Sequence, residues 1–330
     1  MSETVNIGEV AEKLSVDIFK HFFWSMHPKW NEKFQCSNPN HKDSDGAQKS
    51  VHPGDVLFSY EDPYLGITTY LHTDLKSYDK KSITKTKMRD ALKSLSIAIE
   101  CARDSDSWRK LYSIDSSEDY EVKGLLFIHN HDHRYQGAFY DVMEKVGLES
   151  IPIPPNVYLH YLGPQDIQRL YSIANDIIRL MHAKEISSDY TFYYPDLVMR
   201  RRQGDVWSQP ATVEALTSPY LIVQHKGTES AAAGYIVYYN RPGSSSSEFE
   251  YFLDSLSRYQ MLESGKSLQV RVTCAAPDKE IQSNFRLAKE RYAKAWGFEP
   301  VRQTILDEIK FTHITAVTNA YNPGWMGWRE

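Results

Sequence analysis

The sequence predicts an α/β protein of two domains, and three observations lead there. Segments with a helical repeat alternate along the 330 residues with short β-branched and aromatic runs. The length suits two ordinary domains, and 41% hydrophobic with 25% charged residues is the balance of a water-soluble globular chain. No apolar run reaches the roughly 18 residues of a membrane span, and the polar start MSETVNIGE lacks the pattern of a signal peptide.

The elements follow in order. GEVAEKLSVDIFKHFFW carries Val10, Leu14, Ile18 and Phe22 at helical spacing. HPGDVLFSY and ITTYLHTDLKSY are strands joined by the turn EDPYLG, a hairpin about Asp62 and Pro63. Met88, Leu92, Leu95, Ile99 and Ala102 trace a second helix, capped by Ser82 or Thr84. VKGLLFIHN is a buried strand, GAFYDVMEKVG a short helix, IPIPPN a Pro-rich connection, VYLHYL a strand, and Gln165 to about His182 a further helix. These elements make a first domain, residues 1–184. In residues 185–330, PYLIVQHK, GYIVYYN, LQVRVTCA and IKFTHITAV are strands, and helices carry Phe249, Phe252, Leu253 and Leu256, then Ile281, Phe285, Ala288, Tyr292 and Ala295. That order, ββαβαβ, suggests a smaller α/β accessory domain for substrate or partner binding. No sequence repeat is visible.

The hairpin concentrates the chemistry. Alternation along a strand puts Thr68, Tyr70, His72, Asp74 and Lys76 on one face and Ile67, Leu71 and Leu75 on the other. The apolar face is expected to pack on the core and the other to carry the site. Asp55 starts the partner strand, so a slight splay or bulge brings it to Asp74. Hard cations such as Mg²⁺ take carboxylate and carbonyl oxygens, which Asp55, Asp74 and the Leu75 backbone carbonyl supply. Lys76 can orient or help deprotonate a water and offset charge building on phosphorus, so metal-assisted phosphodiester hydrolysis fits the residue types.

Pro53, Asp55, Asp74 and Lys76 in this setting resemble the PD-(D/E)xK nuclease superfamily, whose restriction-endonuclease-like core runs αβββαβ as a mixed sheet flanked by helices. The resemblance covers residues 8 to 130. It implies a metal-dependent, Mg²⁺ or Mn²⁺, deoxyribonuclease, with Glu12 of the first helix as an added acidic ligand and Glu9 the second choice. Restriction or anti-phage defence is the implied setting, in the cytoplasm, with DNA as substrate, a second protein subunit that senses or regulates, and a homo-oligomer left open. An inactive DNA-binding or scaffold subunit and an RNA-directed nuclease are the rival readings. Gly54 departs from the family's adjacent Pro-Asp pair. Asp79-Lys80-Lys81, Glu121-Val122-Lys123 and Glu308-Ile309-Lys310 repeat the triplet without such surroundings.

A net charge of −5 requires any nucleic-acid surface to be local. Lys80, Lys81, Lys85 and Lys87 after the hairpin, with His129, are the candidates; Arg200, Arg201 and Arg202 read rather as a solvated loop. His129, His131, Asp132 and His133 cluster at a strand end and read as a turn. His27, Cys36, His41 and His52 lack a CxxC or HxxxH pair, so their stretch reads as a loop beside the site and not as zinc-binding. The three cysteines, Cys36, Cys101 and Cys274, are far apart in sequence and odd in number, which points to reduced thiols in a cytoplasm. Trp325 and Trp328 near the end read as residues tucked onto the domain.

Overall fold

A computed structural model describes residues 2–42, 46–115, 117–147, 149, 151–195, 197, 207–295, 297 and 299–314. Arg200 to Arg202, Trp325 and Trp328 lie outside the described residues. Two compact units divide between residues 168 and 169, within the helix that the sequence had assigned to the first domain.

The first unit opens with α1 (Ser2–Asp17) and a 3-10 turn at Phe19–Phe22, then β1 (Ser25–Met26), β2 (Glu32–Gln35), β3 (Val51–Gly54), β4 (Val56–Glu61) and β5 (Thr68–Tyr78). After these come α2 (Lys85–Asp104), α3 (Asp106–Leu111), β6 (Tyr120–Asn130), α4 (Phe139–Glu144) and β7 (Leu159–Leu162). The main sheet has the order β1-β4-β5-β6-β7, antiparallel through β5 and parallel from β5 to β7. This is the expected αβββαβ core, with β1 as its first strand. A parallel step needs a crossover, which α2 and α3 supply between β5 and β6. Of the two candidate caps for α2, Thr84 is the one whose hydroxyl accepts a backbone N–H, that of Lys87; the Ser82 hydroxyl accepts from the Lys87 ammonium instead.

The single strand expected over HPGDVLFSY is in fact two. β3 pairs with β2 as a separate hairpin, and β4 pairs with β5, so Asp55 sits at the break between them. Both faces of β5 are covered, which corrects the expected division into a core face and an open face. Leu71, opposite Phe58, lies on the face where Phe19, Trp24, Phe58 and Phe127 stack. Tyr70 and His72 lie on the other, beneath Trp108 of α3, and His72 is 1% exposed. A central strand with helices on both sides has no wet face. The chemistry is confined to the part of β5 that follows His72, where Asp74 and Lys76 are only partly buried.

The second unit begins within α5 (Pro164–His182) and continues through β8 (Tyr190–Phe192), α6 (Val213–Thr217), β9 (Tyr220–His225), β10 (Gly234–Tyr239), α7 (Ser246–Arg258), β11 (Ser267–Val272), α8 (Ile281–Ala295), α9 (Pro300–Glu308) and β12 (Lys310–His313). Its sheet order is β8-β9-β10-β11-β12, antiparallel up to β10 and parallel thereafter. Helix, three antiparallel strands, helix and parallel strand is the succession of the first unit over again, although no sequence repeat announces it. Phe249, Phe252 and Leu253 of α7 and Phe285 of α8 cover the apolar face of this sheet. Arg271 of β11 donates to Asp176 of α5 at 2.7 Å, and the Tyr238 hydroxyl donates to the same carboxylate at 3.1 Å, all three nearly water-free.

Asp176 keeps the half-exposed Arg179 at 3.3 Å as a second partner, so Arg271→Met leaves the carboxylate only partly compensated and should destabilise the chain by about 1–3 kcal/mol. Urea unfolding should show this loss, and Asp176→Leu added to Arg271→Met should recover most of it. Equal stability of Arg271→Met and the parent would refute the assignment.

Candidate active site

The β4–β5 register pairs Val56 with Thr73, and one step outward the same antiparallel ladder sets Asp55 beside Asp74. The Asp55 carboxylate accepts the Leu75 N–H at 2.8 Å. Lys76, two residues along the same face, holds its ammonium 2.6 Å from Asp74. The expected convergence of Asp55, Asp74 and Lys76 is therefore present. The bend that permits it is the β3–β4 break.

Gly54 has a steric reason at that break. A Cβ there would stand 2.7 Å from the His72 ring and 2.9 Å from the Tyr112 hydroxyl. The His72 ring is fixed in turn, in contact with the Pro53 carbonyl at 3.0 Å and accepting from the Trp108 indole at 3.4 Å. A residue without a side chain thus lets the backbone reach Asp55 over a packed histidine. Pro53, Asp55, His72, Thr73 and Asp74 meet Ser94 and Ala98 of α2 in one small cleft.

Electrostatics single out Asp55. Burial, and then the neighbouring Asp74, push its carboxyl up to about 7; the Leu75 N–H and Lys76 only partly offset this. Two carboxylates close enough to share a hydrogen bond resist double ionisation without a cation between them. Burial lowers the pKa of Lys76, but Asp74 and Asp55 outweigh it and the net displacement is upward. Lys76 is therefore an ammonium. It can orient a water or phosphate oxygen, and the earlier alternative of deprotonating the water is disfavoured. The donor set of two carboxylates beside a cleft fits a hard divalent cation.

The remaining predicted residues fare differently. Glu12 and Glu9 are exposed on α1, and no described hydrogen bond or ion pair ties either to Asp55 or Asp74. Leu75 faces away from the pair as expected, but is only half-buried; the contact it makes to the site is through its N–H. Lys80, Lys81, Lys85 and Lys87 are all exposed just past β5. His129 corrects its expectation as a phosphate contact: it is 7% exposed, and burial followed by His133 and His131 lowers its pKa to about 4. A neutral, covered ring offers no charge to a phosphate. The adjoining Asp132 ties the turn, accepting the Lys80 and Arg134 N–H groups.

The other triplets are accounted for. Asp79 caps the turn at Lys80–Ser82, and Glu121 pairs with Lys123 on the opposite face and toward the start of β6. Glu308 ends α9 in the second unit. In that unit the positions that correspond in the ladder are Tyr220 and Tyr239, with Pro219 and Asn240 one step outward, and neither pair holds a carboxylate. His72, Tyr112 and Trp108 were not anticipated as supports of the site. A histidine at a position matching the catalytic face was the one available signal.

Gly54→Ala should cost about 1–3 kcal/mol through overpacking against His72 and Tyr112, measurable by urea unfolding. Unchanged stability would show that the neighbours give way freely.

The family model for the GAPS4 protein PD-(D/E)XK nuclease domain matches residues 1–166. No curated protein and no solved structure matches the chain. The matched span contains α1, the αβββαβ core and the Asp55, Asp74 and Lys76 cluster, and the chain belongs to the GAPS4 PD-(D/E)XK nuclease-domain family.

Proposed function

We propose that the chain is a divalent-metal-dependent nuclease that hydrolyses phosphodiester bonds of DNA, with Mg²⁺ as the metal and Mn²⁺ as a substitute, acting in restriction or anti-phage defence. The observation that carries the reading is the Asp55–Asp74 carboxyl pair with Lys76 at 2.6 Å from Asp74. Asp55 and Asp74 would hold the cation, and the Leu75 N–H keeps Asp55 in place. A bound divalent cation supplies Lewis-acid polarisation of a phosphate oxygen and a more acidic water. Lys76 orients the attacking water and meets the negative charge that develops on the phosphoryl oxygens.

Four exposed lysines, Lys80, Lys81, Lys85 and Lys87, follow β5 directly and support a polyanionic substrate. Lys87 also lies over the Tyr78 ring at 5.3 Å, on the same side of the strand as Lys76. Among the described residues no helix is long and apolar enough to cross a membrane. The defence setting rests on the family alone.

Purified chain should be incubated with linear, circular and single-stranded DNA and with RNA, in Mg²⁺, Mn²⁺ or EDTA. Cleavage of DNA that EDTA stops is expected, with Asp74→Ala and Lys76→Ala each lowering the rate at least about 100-fold while circular dichroism stays unchanged. Preferential cleavage of RNA would transfer the reading to an RNA-directed enzyme. Full activity of Asp74→Ala would end it.

The metal-free pair also has a pH signature. Asp55 is raised from 3.8 to about 7 in the folded chain, so between those values the unfolded state releases a proton that the folded state keeps. Folding stability contributed by this group therefore falls as pH rises through that window and is level above it. In EDTA, Asp55→Asn should gain stability over the parent across the same range, read by thermal melts, and Mg²⁺ should narrow the gap. A difference independent of pH would contradict the coupling.

A further inference from the structure

A second cluster of ligand-type side chains lies apart from the carboxyl pair. Cys36 at the end of β2, His41 in the following loop, His52 on β3 and Cys101 on α2 bring one donor atom each to within 4.8 Å of one another. The two sulfurs are 3.7 Å apart, and each lies 3.4 Å from Nδ1 of His41. Tetrahedral zinc, with Zn–S about 2.3 Å and Zn–N about 2.0–2.1 Å, places sulfurs about 3.75 Å apart and sulfur and nitrogen about 3.6 Å apart. The three separations among Cys36, Cys101 and His41 are close to these, and a His52 nitrogen lies within 4.8 Å of each of the three.

Two further observations point to a cation there. His52 is fully buried, yet neither ring nitrogen has a hydrogen-bond partner. An unpaired buried imidazole is costly, and ligation by one nitrogen relieves it. His41 turns its other nitrogen, Nε2, to the Glu100 carboxylate at 2.8 Å. Carboxylate, histidine, metal is the usual outer support of a zinc ligand, fixing the tautomer that leaves Nδ1 free to bind. Two thiolates would also neutralise a divalent ion, which makes burial of the group tolerable. Soft sulfur together with imidazole selects zinc over Mg²⁺.

We propose that Cys36, His41, His52 and Cys101 bind a structural Zn²⁺ that pins the β2–β3 hairpin to α2. The two cysteine protons are released on binding. The consequence for the first unit is positional. β3 continues through Pro53 and Gly54 to Asp55, while α2 presents Ser94 and Ala98 to the same cleft one turn before Cys101. A clamp between β3 and α2 therefore fixes the strand that delivers Asp55. Among the four residues of the loop singled out by sequence, His27 takes no part; its ring accepts the Lys29 N–H and packs edge-on to Tyr112. The missing ligand is Cys101, which lies on α2 far downstream.

The test is metal content of the full chain purified under reducing conditions, by elemental mass spectrometry. One zinc per chain is expected in the parent, in Asp74→Ala and in Cys274→Ser, and none in Cys36→Ser or Cys101→Ser. Because those two variants can fail to fold, Co²⁺ replacement in the parent gives an independent reading: thiolate-to-cobalt charge transfer and intense tetrahedral bands. Glu100→Gln should keep the fold and lower zinc affinity about 10–100-fold in chelator competition. A folded parent that binds no zinc, a cobalt spectrum without thiolate bands, or a Cys36–Cys101 disulfide in the reduced preparation would overturn the proposal. Retention of zinc by Asp74→Ala keeps this outcome separate from the fate of the nuclease reading.

Discussion

Two carboxyl groups brought together at the end of a strand pair are the constraint on which the first unit depends. Asp55 and Asp74 face each other because the β4–β5 ladder leaves them no other place, and the ladder is held in register by a buried face on each side. The Leu75 N–H and the Lys76 ammonium reduce the repulsion without removing it. What remains is a repulsion that a bound cation would relieve, set by backbone pairing and not by side-chain flexibility. The break between β3 and β4 and the bare Cα of Gly54 serve the same end, letting the chain turn over the His72 ring into the pair.

Comparison of the two units separates fold from chemistry. Both sheets have three antiparallel strands followed by parallel additions, and both connect the third and fourth strands through a helix. In the second unit the ladder positions that match Asp55 and Asp74 are Pro219 and Asn240, one step beyond the Tyr220–Tyr239 pair, whose rings stack at 5.6 Å. A proline and an asparagine there supply no carboxyl pair. The shared topology alone brings no carboxyl pair; the identity of two side chains at one strand end does.

Much of the core was legible because strand and helix patterning is local. The period-two alternation of Thr68 to Lys76, the helical repeat from Met88 to Ala102 and the buried run to Asn130 each reflect burial of one side of an element against its neighbours. Short pieces such as β1, β2 and α3 escaped notice, since two to six residues carry too little periodicity. The single strand over Asp55 was divided because β3 finds its partner in β2, a pairing set by the fold. His129 misled for a related reason: a polar residue at a strand end can face solvent or lie beneath a neighbouring turn, and alternation does not distinguish them.

By itself the sequence determined which faces and which residue types were available: an acid and a lysine two apart on one strand, a second acid at the start of its hairpin partner, and a helix and strand to follow. Only the tertiary structure decided which groups meet. It joined Cys101 to Cys36, His41 and His52 across 65 residues of chain, left Glu12 exposed on α1, and repeated one topology in a unit whose sequence shows no repeat. Periodicity is a property of neighbours along the chain. Ligation and catalysis depend on distances in space, which packing of separate elements alone sets.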